Sequence, residues 1–454
     1  MNPSFIRRWS TSRYLTRLCS SARLDAEHVA YNAQRIKSGA SHRIDYFHQV
    51  DDAYSYLAAQ VLRLFTERYE VDLHCHLVSG PEGNNIAEPK MLSQLSTYDA
   101  HLIADAYGLD FPLSVRFPDP GEVLKTNRLL ANRSTDSFVA LAPQAGRALW
   151  SGSITELDKI TESCGMATVE SAGTAVALGT KLQRQLKHYS GAMFYYGDEW
   201  FWGVDRLHHL ERRLTRFGAA RHPNLPLIAP RPQIIQTAND NGGKLTLEFF
   251  VSLRSPYTAI AFDRTIALSE TVGVRLKLRP VLPMVMRGVP ATREKGAYIF
   301  SDAAREARAA DSPFGGFYDP IGAPVRRCYA LYPWAEEQGK GVQLFSSFLR
   351  HAFVMGVNTG TNRGLRKVVE LAGLNWSAAK SKLTDNTWED VFESNRLAMY
   401  EAGLWGVPSY RLIDQKGDQI LSVWGQDRLW LVSQVIAKTL DVKTPESFCN
   451  REGD

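Results

Sequence analysis

Two blocks of sequence recur in the same order, and they restrict the chain to architectures made from two copies of one unit. Asp45-Tyr-Phe47 sets against Glu248-Phe-Phe250, and the same spacing, without a gap, puts Tyr54 on Tyr257. Farther along, Phe201-Trp-Gly-Val-Asp-Arg-Leu207 matches Val423-Trp-Gly-Gln-Asp-Arg-Leu429. Either match alone is within the reach of chance. Both in order, at corresponding ends of a stretch of ordinary domain length, predict tandem domains over 40–215 and 244–440. Between them, His222-Pro-Asn-Leu-Pro-Leu-Ile-Ala-Pro-Arg-Pro232 has four prolines in eleven residues. It can form neither helix nor central strand, so 216–243 is an extended linker, with Asn239-Asp-Asn-Gly-Gly243 turning into the next strand.

Within each half the pattern is strand, helix, strand, a helical stretch, then strand, turn, strand, helix. Leu245–Val251 and Arg275–Arg279 are expected strands of the second half, and 300–310 and 365–400 carry helical spacing. Tyr410–Ile413 and Ile420–Val423 flank Asp414-Gln-Lys-Gly417 as a hairpin, and the last helix is expected from Gln426. The fold class is therefore α/β, with a helical subdomain inserted in each half.

A chain of 454 residues with 44% hydrophobic content suits soluble globular domains, and no apolar run approaches a membrane span. The net charge of +5 is small and gathers at the N-terminus, which argues against nucleic acid as a partner. Five cysteines, Cys19, Cys75, Cys164, Cys328 and Cys449, include no C-x-x-C pair; this fits a reducing compartment and neither a disulfide scaffold nor a four-cysteine zinc site. The first residues hold Arg7, Arg8, Arg13, Arg17 and Arg23 without an early acid. Residues 1–39 read as a basic arm on a cytoplasmic protein, or as a mitochondrial transit peptide, and 441–454 as a tail.

Ser255-Pro-Tyr-Thr258 follows the first strand of the second half and opens a helix. A serine before Pro at the first helical position is an ordinary N-cap, and the helix N-terminus also favours negative charge. With Gly406-Val-Pro-Ser-Tyr410 and Trp424-Gly-Gln-Asp-Arg428, with Lys295, Tyr298 and Asp302, and with Ala335-Glu-Glu-Gln-Gly339 and Ala372-Gly-Leu374, residues 244–440 resemble one known group. This is the 2-hydroxychromene-2-carboxylate isomerase and kappa-class glutathione transferase branch of the DsbA-like thioredoxin-fold family. The resemblance implies two tandem thioredoxin-like domains and glutathione as cofactor. Ser255 stands where a redox relative has its attacking cysteine, and would hydrogen-bond the glutathione sulfur. Pro408 would be the family's cis-proline, leaving Val407 to pair with the peptide backbone. Gln426 and Asp427 would meet the γ-glutamyl end, and Lys295, with Arg287 near it, would face a carboxylate. Phe314, Phe317, Tyr318, Trp334 and Phe353 are pocket candidates or core. One departure is that Met284–Pro290 lacks the asparagine usual before that lysine.

The first half departs further. Asp52-Ala-Tyr-Ser55 replaces Ser-Pro-Tyr-Thr, and Gly191-Ala-Met-Phe-Tyr195 is matched to Gly406–Tyr410 with Met193 at the position of Pro408. A carboxylate would repel a thiolate, so this half is expected to be silent and to act as an internal pseudo-subunit; an oligomer is the other arrangement open to the chain. His74-Cys75-His76 cannot converge on a metal from a strand, and no metal is expected. The functional expectation is a glutathione-dependent isomerase or transferase for a small unsaturated or aromatic oxo acid, without dithiol chemistry. The alternative is a non-catalytic binding or scaffold protein of the same fold.

Overall fold

The computed structural model describes residues 2–112, 116–236, 242–289 and 292–440. The expected tail 441–454 with Cys449, Pro290, and residues 239–241 of the expected turn lie outside them. The chain divides into two compact units: one is Leu24–Pro232, and the other comprises Gln233–Asp454 together with Met1–Arg23. Two helices come first, α1 (Phe5–Leu18) and α2 (Ser21–Ser38). The expected basic arm is therefore helical, and its first 23 residues fold with the second half.

In the Leu24–Pro232 unit, β1 (Arg43–His48) leads through α3 (Ala53–Arg68) to β2 (Asp72–Leu77). Helices α4 to α8 follow (Pro89–Ala104, Pro120–Leu130, Thr135–Trp150, Ile154–Cys164 and Val169–Gln185), then β3 (Met193–Tyr196), β4 (Glu199–Trp202) and α9 (Gly203–Arg216). The sheet order is β2-β1-β3-β4, with β1 parallel to β2 and antiparallel to β3. The parallel pair needs the crossover helix α3, whereas β3 and β4 close through Gly197 and Asp198, both at positive φ. Tyr46, Phe65 and Phe194 are fully buried in the core of this unit.

The Gln233–Asp454 unit repeats the plan. β5 (Thr246–Val251), α10 (Pro256–Val272) and β6 (Arg275–Pro280) precede α11 to α16 (Arg293–Ala309, Ala323–Glu337, Gly341–Phe353, Asn362–Leu371, Trp376–Lys382 and Trp388–Glu401). Then come β7 (Ser409–Ile413), β8 (Gln419–Trp424) and α17 (Leu429–Thr439), in sheet order β6-β5-β7-β8. The expected helical stretch 365–400 is three helices, divided after Gly373, whose φ of 75° suits glycine. The last helix begins at Leu429, preceded by a 3-10 turn over Gln426–Arg428, rather than at Gln426. Phe249 and Tyr410 stack at 5.1 Å in the core, where Tyr46 and Phe194 lie at 4.7 Å in the first unit.

Strand registers agree residue by residue. Asp45 opposes His74 as Glu248 opposes Lys277, which continues the spacing of the sequence repeat. At the other end, Phe47 pairs with Met193 as Phe250 pairs with Ser409, and Met193 and Ser409 then face Trp202 and Trp424. This corrects the alignment by one residue: Ala192, not Met193, stands at the position of Pro408. Gly203 N donates to Ala192 O at 2.7 Å, as Gly425 N donates to Pro408 O at 2.9 Å. The first-unit hairpin is shorter, and sequence matching across it slips.

Within the expected linker, His222 to Leu225 forms a turn, with Leu225 N donating to His222 O at 3.2 Å, and residues 228 and 229 are held to the first unit. The Glu211 carboxylate accepts from Ile228 N at 2.7 Å and Ala229 N at 3.2 Å, and the Tyr69 hydroxyl donates to it at 3.0 Å. Among the described residues, no helix is long and apolar enough to cross a membrane.

Candidate functional site

Ser255 is the N-cap of α10 with Pro256 in its first turn, because an extended residue before a proline suits a helix start. Its Oγ accepts from Thr258 N at 3.1 Å and donates to Val407 O at 3.3 Å. The hydroxyl thus sits at the positive end of a 17-residue helix and against the Val407–Pro408 bond, which is cis. Pro408 is buried and Val407 half-buried. Among the described residues, no group accepts a hydrogen bond from the Val407 amide. Gly406 is required here, since a Cβ would lie 2.5 Å from the Trp424 indole. Ser255, Val407 and Pro408 are therefore brought together.

Arg287 ends a 3-10 turn (Met284–Arg287) and reaches the same loop, with Nη2 3.5 Å from Trp405 O. Its buried Nε and the buried indole Nε1 of Trp405 have no acceptor among the described residues. Lys295 lies in the first turn of α11, which packs on α10, and its amide donates to Thr292 Oγ1 at 3.2 Å. Burial lowers the pKa of its ammonium group.

Gln426 and Asp427 differ in what they offer. The Gln426 side chain is 2% exposed, accepts from Arg264 Nη1 at 3.3 Å and donates to Glu306. The side chain is taken up internally. Asp427 is half-buried, and its carboxylate lies against residue 425, where a Cβ would come within 2.3 Å of Oδ1. The first-unit counterpart, Asp205, accepts from the Tyr107 hydroxyl at 3.0 Å, a structural use of the same motif.

Asp302 is structural as well. It accepts from Tyr257 OH at 2.8 Å and Arg305 Nη2 at 2.6 Å, and Tyr54 OH donates to Asp99 at 2.8 Å in the first unit. Phe317 packs between Phe300 and Phe353, and both Phe317 and Phe353 are buried, so they are core rather than pocket lining. Phe314 packs with Tyr257 against Ile260, Ala303 and Ala307. Sequence reasoning missed Arg254, beside Ser255, which grips Asp319 with Nε–Oδ1 at 2.9 Å and Nη2–Oδ2 at 3.1 Å. A pair 65 positions apart leaves no local signal.

In the first unit Asp52 caps α3, accepting from Ser55 N at 2.8 Å and Ser55 Oγ at 2.7 Å. Burial pushes its carboxyl group up to about 6. Gly191 stands at Val407's position, and a Cβ on it would lie 2.7 Å from Gln49 Cβ and 3.0 Å from Asp52 Oδ2. The equivalent cleft is filled by this unit's own side chains. On β2, His74 bonds Asp72 at 2.9 Å and His76 bonds Asp45 at 2.8 Å, while burial pushes the Cys75 thiol up to about 12. His74, Cys75 and His76 do not converge.

A profile of the DSBA-like thioredoxin domain family matches residues 246–437. No curated protein matches the chain. Solved structures similar to it include a 2-hydroxychromene-2-carboxylate isomerase, at 18% identity over 44% of this chain and 100% of that one, with a TM-score of 0.36. A probable DsbA oxidoreductase from Streptomyces coelicolor has 18% identity over 44% and 92%, with a TM-score of 0.34. The cytosolic disulfide reductase DsbM from Pseudomonas aeruginosa has 18% over 43% and 96%, with a TM-score of 0.32.

Proposed function

We propose that the DSBA-like thioredoxin domain of residues 246–437 binds glutathione beside Ser255 and acts as a glutathione-dependent isomerase or transferase on a small unsaturated or aromatic oxo acid. The observation that carries the reading is the Ser255 hydroxyl, held at a helix N-terminus 3.3 Å from the carbonyl of Val407. A serine there cannot form a disulfide, but it can donate to a thiolate, and the helix dipole favours that negative charge. The available Val407 amide suits strand-like pairing with a peptide backbone. The Asp427 carboxylate, in the Gln426–Arg428 turn, suits the ammonium group of an amino-acid end.

When bound, glutathione supplies a thiolate that adds reversibly to a conjugated carbonyl compound. Ser255 would stabilise that thiolate and orient it. Arg287, with an unpaired buried Nε, and Lys295 would receive the negative charge that develops on the carbonyl oxygen or the acid's carboxylate.

The test is the ultraviolet absorbance of the glutathione thiolate, titrated with and without protein. A lowered thiol pKa on binding supports the reading, and calorimetry showing no binding at millimolar glutathione rejects it. A second reading, a non-catalytic binding protein, is favoured by one observation: the Ser255 hydroxyl already has two internal partners, as a plain N-cap would. Glutathione binding without turnover in a screen of unsaturated oxo acids would select it.

A further inference from the structure

We propose that helix α1 is an intramolecular strap that positions Ser255 through Asp319 and Arg254; this rests on the reading of Ser255 given above. Three side chains spaced four apart on α1 serve backbone groups of the segment that leads into α12. Arg8 Nη1 donates to Asp319 O at 2.5 Å and Ile321 O at 2.8 Å. Ser12 Oγ accepts from Asp319 N at 3.0 Å. Thr16 Oγ1 accepts from Phe317 N at 3.0 Å and donates to Phe317 O at 3.2 Å. Asn2 Oδ1 adds Ala323 N at 2.7 Å.

The partners are residues 317, 319 and 321, alternate positions of the segment, and Ala323, the first residue of α12. Four helical residues rise about 6 Å and two extended residues about 6.6 Å, so the two repeats stay in step over these turns. Arg8 and Ser12 are buried at 8% and 3% exposure, which makes this a built contact and not a surface arm. The segment's outward chemistry then points at the site. The Asp319 side chain, 4% exposed, accepts from Ile321 N at 3.1 Å and holds the Arg254 guanidinium in a two-pronged grip. Arg254 precedes the cap residue whose Oγ meets Thr258 N and Val407 O. Holding Arg254 limits the backbone freedom of Ser255, and with it the direction of the hydroxyl.

Ser255, on this account, is the group that touches the ligand, while Arg254, Asp319, Ser12 and Thr16 are positioning residues. The experiment uses the full chain carrying Ser12→Ala with Thr16→Val, read by amide hydrogen exchange and by the pKa of bound glutathione. Exchange at Phe317 and Asp319 should rise about tenfold, the scale of one lost hydrogen bond. The Thr258 amide should follow, and the bound thiol pKa should rise towards that of Ser255→Ala. Thr16→Ser should behave as wild type. Arg254→Lys, which keeps charge but loses the fork, should speed Thr258 alone.

Faster exchange at 317 and 319 with Thr258 and the thiol pKa unmoved would overturn the proposal, as would unchanged exchange at 317 and 319. If wild type binds no glutathione, the reading of Ser255 fails, while the Thr258 rate still decides the strap. Should the double variant not fold by circular dichroism, Thr16→Val alone is read in the same way.

Discussion

At the scale of single residues, the two cap positions make opposite predictions. Ser255→Ala removes one donor to a thiolate and leaves the peptide contacts, so the bound thiol pKa should rise by about one unit with most affinity kept. Ultraviolet titration of the complex measures both. Asp52 has its carboxyl raised from 3.8 to about 6, burial being the largest cause. The folded chain therefore holds this proton more tightly than the unfolded one. Its contribution to stability is complete below pH 4 and is lost as pH rises through 6. Asn caps a helix as well as Asp does, so Asp52→Asn should remove that decline. Thermal melts of wild type and variant from pH 4 to 7 should diverge as the pH rises; parallel curves would reject the assignment. Ser255 was legible because capping chemistry is local. The one-residue error at Met193 was not avoidable by matching side chains, since only strand pairing shows that Ala192 carries the carbonyl bonded by Gly203.

At the scale of elements, each central strand buries an acid that its neighbours neutralise. Glu248 on β5, 1% exposed, is held by Arg279 at 2.5 Å from β6 and Arg411 at 2.5 Å from β7, with Lys277 at 3.4 Å. Burial pushes the Glu248 pKa up, but the hydrogen bonds and charges of Arg279 and Arg411 outweigh it, and the net direction is down. Its stabilisation is present above the usual carboxylate range and lost on acidification. Glu248→Gln would leave the cations facing one another and should cost about 3–5 kcal/mol in denaturant unfolding at neutral pH. Asp45, the β1 counterpart, pairs with Arg43 and His76, and its carboxyl falls to about 2. The repeat of Asp45-Tyr-Phe47 in Glu248-Phe-Phe250 was readable because each places one acid before two aromatic residues, at a constant spacing from the tyrosine that follows. The Asn395 side chain, which accepts from Arg279 at 3.1 Å and comes from α16, was not readable, because nothing in a helical pattern marks which polar residue turns inward.

At the scale of the whole molecule, one thiol site per chain is expected, because Gln49, Asp52 and Ser55 crowd Gly191 where the second half leaves Val407 open. Calorimetry should return a glutathione stoichiometry of one, and two would contradict the filled cleft. Dithiol chemistry is expected to be absent, since Cys19 and Cys328 are buried and Ser255 replaces the attacking thiol. Insulin-reductase turnover that survives replacement of all five cysteines would contradict the Ser255 mechanism. The bonds from α1 to 317–321 carry one more consequence, and it concerns time. They join residues 301 to 313 positions apart, so the helix has no partner until about 300 further residues have been made. At roughly 5–20 residues per second that interval is about 15–60 s. A 14-residue helix is marginal alone, so α1 should stay unformed through synthesis of the whole intervening unit. Ribosome-stalled chains should show protection of residues 5–18 only once residue 323 has cleared the exit tunnel, making the first helix in the sequence one of the last pieces to fold.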